Sequence, residues 1–112
     1  MITIVNQSTQ AELIEMMGED EFRDLLQEAL VQFEDRAEEL LRAFDAEAWE
    51  LARSLAHKIK GSMGTLGYDA LFSSLDALEQ QLLATPIVLP TKHAIEEIKS
   101  IIEKTKKALQ ER

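Results

Sequence analysis

Cysteine is absent from this chain, which excludes a disulfide framework and any thiolate metal site. Aromatic side chains make up only 5% of it, a poverty that favours an aliphatic helical core over a sandwich. No apolar run approaches the roughly 20 residues of a membrane span. The opening Met1-Ile2-Thr3-Ile4-Val5-Asn6 lacks the basic region and long apolar run of a signal peptide. A soluble cytoplasmic protein is therefore expected. Cations are scarce, 12 against 21 acidic residues, for a net charge of -9. That balance argues against a nucleic-acid or anionic-membrane partner, because phosphate surfaces are met by basic ones. No G-x-x-x-x-G-K-[ST] loop is present, so the chain is not expected to take phosphate from ATP by itself.

What is present is ordinary globular material. Apolar residues supply 46% of 112 positions, enough for one core in one domain. A short β-prone tail spans 1–8. Thr9 and Glu12 then read as a capping box for a helix over 9–17, which turns Leu13, Ile14 and Met17 inward and stops at Gly18. Glu19-Asp20-Glu21 favours a new helix N-terminus. The stripe Phe22, Leu26, Ala29, Phe33, Ala37, Leu40 and Phe44 predicts a long helix over 20–44, with Asp45 as a cap before the next. Further helices are predicted over 46–66, 69–84 and 91–110. Gly67 breaks the first of these, and Pro86 and Pro90 interrupt the chain between the last two. Leu71, Leu75, Leu78 and Leu82 line one side of the fourth helix. Ile95, Ile98, Ile102, Thr105 and Leu109 line the fifth. Four long amphipathic helices with short connections imply an all-α, antiparallel up-down-up-down four-helix bundle, with the short first helix laid across an end.

The chemistry concentrates in Ala56-His57-Lys58-Ile59-Lys60-Gly61-Ser62-Met63-Gly64-Thr65-Leu66-Gly67. At about 100° per residue, Ala52, Leu55, Ala56, Ile59, Ser62, Met63 and Leu66 fall on one inward stripe. His57 lies about 160° from Ile59, facing solvent. Arg53, Lys60, Gly61 and Gly64 share its side, and Arg53, Lys58 and Lys60 make a local basic spot that suits an anionic ligand or a partner with an acidic site. A glycine inside a helix costs roughly 1 kcal/mol relative to alanine. Two of them beside one histidine, away from the apolar stripe, imply that something large approaches the imidazole. His93 opens the last helix and reads as a solvated end residue. Two distant histidines make a poor metal site. Trp49 reads as partly buried core.

His57-Lys58-Ile59-Lys60-Gly61-Ser62, followed by Leu66-Gly67 and Leu78-Glu79, resembles the signature of histidine-containing phosphotransfer (HPt) domains, the intermediate carriers of phosphorelays. Met17-Gly18-Glu19-Asp20 and the helix before His57 also fit, so the resemblance covers most of the chain. It implies a phosphocarrier rather than an enzyme. His57 would accept a phosphoryl group on Nε2 and exchange it with an aspartate of a response-regulator receiver domain. Lys60 would offset phosphoryl charge. Glu79 would hold the ring Nδ1–H, unless it is merely a surface glutamate. Arg53, Lys58, Gly61 and Gly64 would face the docked partner. Expected partners are receiver domains and a sensor (hybrid) histidine kinase. No cofactor is expected on this chain, Mg²⁺ belonging to the receiver, and a monomer is expected. Gly64 stands where common relatives carry a bulkier residue, a feature nearer to the HPt modules of respiration-control sensor kinases. A module that binds receivers without carrying phosphate, or a small histidine-dependent enzyme using His57 and Glu79, are the alternatives.

Overall fold

The apolar stripes read from the sequence fold as helices and meet in one core. The computed structural model describes residues 2–111. Its elements are α1 (Gln7–Met17), α2 (Glu19–Asp45), α3 (Trp49–Gly64), α4 (Asp69–Leu83) and α5 (Lys92–Gln110), with no strand among the described residues. Phe22, Leu26, Phe33, Ala37, Leu40 and Phe44 of α2 are all buried, as their three-and-four spacing requires. So are Leu71, Leu75, Leu78 and Leu82 of α4, and Ile98, Ile102, Thr105 and Leu109 of α5. Ala29 and Ile95 sit half-buried at the margin. Each fully buried large aliphatic or aromatic side chain contributes about 1.5–3 kcal/mol relative to exposure. These residues, more than helix propensity, hold the elements together.

Helix α2 packs on α3, α3 on α4, α4 on α5, and α5 closes the ring on α2. Neither diagonal pair brings Cα atoms within 8 Å of each other among the described residues. The molecule measures 45 × 23 × 22 Å, its long dimension close to the roughly 40 Å of a 27-residue helix. The register of α3 against α4 is antiparallel: His57 meets Glu79, Lys60 meets Asp76, and Gly64 faces Phe72. Trp49, half-buried, has its ring 6.2 Å from that of Phe44 across the α2–α3 turn.

The helix ends differ from expectation. Asn6, not Thr9, caps α1: its Oδ1 accepts the Thr9 N–H at 3.1 Å, so the helix starts at Gln7. The residues just before it dock on the bundle. Ile4 and Val5 pack on the core, and the Asn6 N–H donates to the Gly67 carbonyl at 2.7 Å. Gly67 has φ 91°, and a Cβ there would lie 3.1 Å from the Asn6 carbonyl oxygen. Glycine is needed both for the left-handed turn and for the tail's approach. Asp45 is no cap but the last residue of α2, and α3 begins at Trp49 after Glu47, whose φ is 54°. Helix α3 stops at Gly64, before Gly67, because 65–67 tighten into a turn closed by the Tyr68 N–H on the Met63 carbonyl at 3.2 Å. Ser62, assigned to the inward stripe, is exposed and bonds back to the Lys58 and Ile59 carbonyls. A serine can satisfy its hydroxyl on its own helix, so the stripe narrows to Ala52, Leu55, Ala56, Ile59 and Met63.

Candidate functional site

Helix α3 is anchored by that stripe, which holds His57 on the opposite side with its side chain 66% exposed. Helix α4 is anchored by Leu75, Leu78 and Leu82. Glu79 follows Leu78 and therefore lies at the α3–α4 seam, where only 6% of its side chain is exposed. It is not a surface glutamate. Its two carboxylate oxygens divide their work. Oε2 lies 2.8 Å from His57 Nδ1, and Oε1 lies 2.6 Å from Lys60 Nζ. Asp76, one turn earlier on α4, meets the same ammonium through Oδ1 at 2.6 Å. The Nζ also stands 5.5 Å from the centroid of the Phe72 ring, within cation–π range.

These contacts fix the charge states. The Lys60 hydrogen bond holds the Glu79 carboxyl below the usual carboxylate range; burial opposes this, and the Lys60 charge and the His57 contact reinforce it. Asp76 is lowered, again chiefly by its bond to Lys60. Lys60 is raised, first by Asp76 and then by Glu79. An ionised carboxylate only accepts hydrogen bonds. In the neutral imidazole the proton therefore sits on Nδ1, which donates to Glu79, and the lone pair sits on Nε2. The site can thus present one nucleophilic nitrogen, at a fixed ring orientation, to whatever meets this face.

Several expectations need correction. Lys60 does not stand free in solvent: its side chain is only 14% exposed and is enclosed by two carboxylates and a ring. The basic spot is largely neutralised, since Arg53 is paired with Glu50 at 2.6 Å. Lys58 is exposed and has no ion pair among the described residues. At Gly61 a Cβ would meet nothing within 4 Å. Gly64 does not face open solvent. A Cβ there would come 2.6 Å from Phe72 Cδ2, so this glycine seats the Phe72 ring against α3. His93 is exposed and pairs with Glu97 at 2.9 Å, away from the site. Among the described residues, no group of three or more His, Cys, Asp or Glu could hold a metal ion.

Asp76 and Phe72 escaped the sequence reading. Asp76 stands three residues before Glu79, hence on the same face of α4, and an antiparallel register set by His57 and Glu79 would have placed it opposite Lys60. The same register sets Phe72 against Gly64. Neither signal is legible until two helices are paired.

Fold and site define a class: an all-α bundle that displays one histidine, its ring clamped by a buried carboxylate from the neighbouring helix. The family model described as the Hpt domain matches residues 24–108, and the chain belongs to that family of phosphotransfer domains. Among solved structures it is similar to the crystal structure of histidine-containing phosphotransfer protein B (HptB) from Pseudomonas aeruginosa PAO1, at 23% identity and a TM-score of 0.77. The match covers 99% of this chain and 95% of that one, and at this identity it shows the fold. No curated protein sequence matches the chain. No helix among the described residues is long and apolar enough to cross a membrane.

Proposed function

We propose that this chain is a phosphorelay carrier that accepts a phosphoryl group on His57 Nε2 and exchanges it with an aspartate of a response-regulator receiver domain. The observation that carries the reading is the Glu79 clamp on Nδ1 at 2.8 Å. In the transfer, the Nε2 lone pair attacks the phosphorus of an aspartyl phosphate. The N–P bond forms, the P–O bond breaks, and the aspartate leaves with the electron pair as a carboxylate. The ring gains positive charge while keeping its Nδ1 proton, and the ionised Glu79 beside that proton offsets the charge as it develops. No proton has to move. Phosphoryl transfer of this kind asks mainly for positioning and charge neutralisation. Lys60 supplies a cation one turn from the ring. The exposed Lys58, the bare surface at Gly61 and the Arg53 side chain belong to the face a receiver would cover. Gly64 serves the seat of Phe72 instead. Mg²⁺ is assigned to the receiver's acidic pocket, a sensor (hybrid) kinase stands upstream, and the carrier acts as a monomer without enzymatic turnover of its own.

The test uses a panel of phosphorylated receiver domains and scores acid-labile phosphate on the chain. His57→Gln abolishes labelling while leaving the chain folded, the lost bond to buried Glu79 costing at most about 1.5–3 kcal/mol. Glu79→Ala slows single-turnover transfer roughly tenfold to a hundredfold, the equivalent of one charge-assisted hydrogen bond of about 1.5–3 kcal/mol. Glu79→Gln, which still accepts from Nδ1 but carries no charge, falls between. Undiminished label on His57→Gln overturns the assignment. Receiver binding by the wild type with no label identifies a docking module instead.

A further inference from the structure

Lys60 is shared, and the sharing has a direction. An ammonium has three donors. One goes to Glu79 Oε1, and that carboxylate is already committed to the His57 ring. A second goes to Asp76 Oδ1 at 2.6 Å. The Phe72 ring stands 5.5 Å from Nζ, and only 14% of the Lys60 side chain reaches solvent. Asp76 has no such second duty toward the imidazole; besides Lys60, the Gln80 side chain also bonds to it. Its side chain is 41% exposed, so its charge is not forced into this pairing by burial.

Apart from the exposed Lys58, the charges around His57 are therefore unfavourable to a phosphoryl group. Lys60 faces two carboxylates, a local balance of -1 while the ring is neutral. Arg53, the other cation near Glu79, is bound to Glu50. A phosphoryl group adds about 1.5 to 2 negative charges at neutral pH. To give the phosphoryl oxygens more than its third donor, Lys60 must give up one carboxylate. Releasing Glu79 would unclamp the ring, so the bond to break is the one to Asp76.

Resting on the reading of His57 as the phosphoacceptor, we propose that Asp76 is a positioning residue that competes with the phosphoryl group for the Lys60 ammonium and so biases the carrier toward donating phosphate rather than storing it. Asp76 touches no reacting atom. It acts by setting how much of the Lys60 charge the phosphoryl oxygens receive. Phe72, seated over Gly64, restricts the ammonium to this narrow choice of partners.

The experiment needs no identified partner. Phosphoramidate serves as donor: Nε2 attacks its phosphorus, the N–P bond to the ring forms, and ammonia leaves with the electron pair. The half-life of the phosphorylated chain is then read from the decay of its ³¹P signal at one fixed, mildly alkaline pH, where the N–P bond persists. Asp76→Asn frees Lys60 to hold the phosphoryl oxygens and lengthens that half-life roughly tenfold. Asp76→Glu, which restores the competing carboxylate, stays within about threefold of wild type. The decisive arm repeats Asp76→Asn in a Lys60→Met background. There the substitution removes only a negative charge, and the gain falls below about threefold. Equal half-lives in wild type and Asp76→Asn overturn the proposal, and so does the same gain in both backgrounds, since Lys60 would then not be the mediator. A wild-type chain that takes no label on His57 overturns the phosphoacceptor reading itself, a failure visible before any half-life is compared.

Discussion

At the scale of single residues, the site works because one carboxylate faces two ways. Glu79 fixes the imidazole tautomer with one oxygen and holds the Lys60 ammonium with the other. The same bonds make stability depend on pH, with opposite signs at the two ends of the scale. Glu79 and Asp76 are lowered in the folded chain, so their contribution is present above the ordinary carboxylate value of about 4 and is lost as pH falls through the folded values. Lys60 is raised, so its contribution is present below about 10.4 and is lost as pH rises through its folded value. The stability advantage of wild type over Lys60→Met is therefore greatest on a plateau from about pH 5 to 9 and shrinks outside it. Urea titrations across pH measure this, and a flat difference would show that the ion pairs contribute nothing. Gly64 supplies a second case. Alanine there gains up to about 1 kcal/mol of helix propensity, but its Cβ lies 2.6 Å from Phe72 Cδ2, and overpacking costs about 1–3 kcal/mol. Gly64→Ala should be neutral or destabilising in wild type and stabilising in a Phe72→Ala background. Melting of the four chains of this cycle gives the coupling, and additive effects would mean the ring simply swings aside.

At the scale of elements, α1 and the residues before it matter to the site through the turn that joins α3 to α4. The Asn6 N–H donates to Gly67, the Asn6 side chain donates to Asp69 at 2.8 Å, and buried Gln10 donates to the Leu66 carbonyl at 3.0 Å. All three bonds land between the end of α3 and the start of α4, the two helices that carry His57 and Glu79. Asn6 also caps α1. Asn6→Ala removes the cap and the Asp69 contact together and should cost about 1–2 kcal/mol. Denaturant unfolding checks it as a lower midpoint with an unchanged m-value. A change under about 0.3 kcal/mol would mean the 65–68 turn holds without its strap.

At the scale of the molecule, the net charge of -9 and the chemistry at His57 are separate matters. The acidic excess is spread along the chain, while the site gathers its cations one turn to either side of the histidine and neutralises most of them with Glu50, Asp76 and Glu79. Charge alone would have marked the region as a basic patch. In the folded molecule the paired charges there already sum to -1 while the ring is neutral. The ring of four helices supplies the rigidity this balance needs, because α3 and α4 each bury a full apolar stripe in a shared core.

The sequence by itself determined the helices, their buried stripes, the exposure of His57 and the family signature. Those follow from periods of three and four residues and from a short contiguous motif, which are properties of one chain segment at a time. Gly18 and Gly67, both at positive φ, were legible for the same reason. What lay between segments was not. The Asn6 cap was overlooked because a capping box at Thr9 is an equally good local pattern, and only the docking of Asn6 on Gly67 and Asp69 decides between them. Gly64 was placed toward solvent because a helical wheel has no neighbour on it; the register of α4 brings Phe72 there. For the same reason the wheel places Lys60 in a basic spot beside His57 but shows neither of its carboxylate partners, Asp76 least of all. A side chain's electrostatic partner is fixed by which helix packs beside it and in which register. That is a decision of the tertiary structure, made by the buried leucines of α4 and the apolar stripe of α3, neither of which carries any charge.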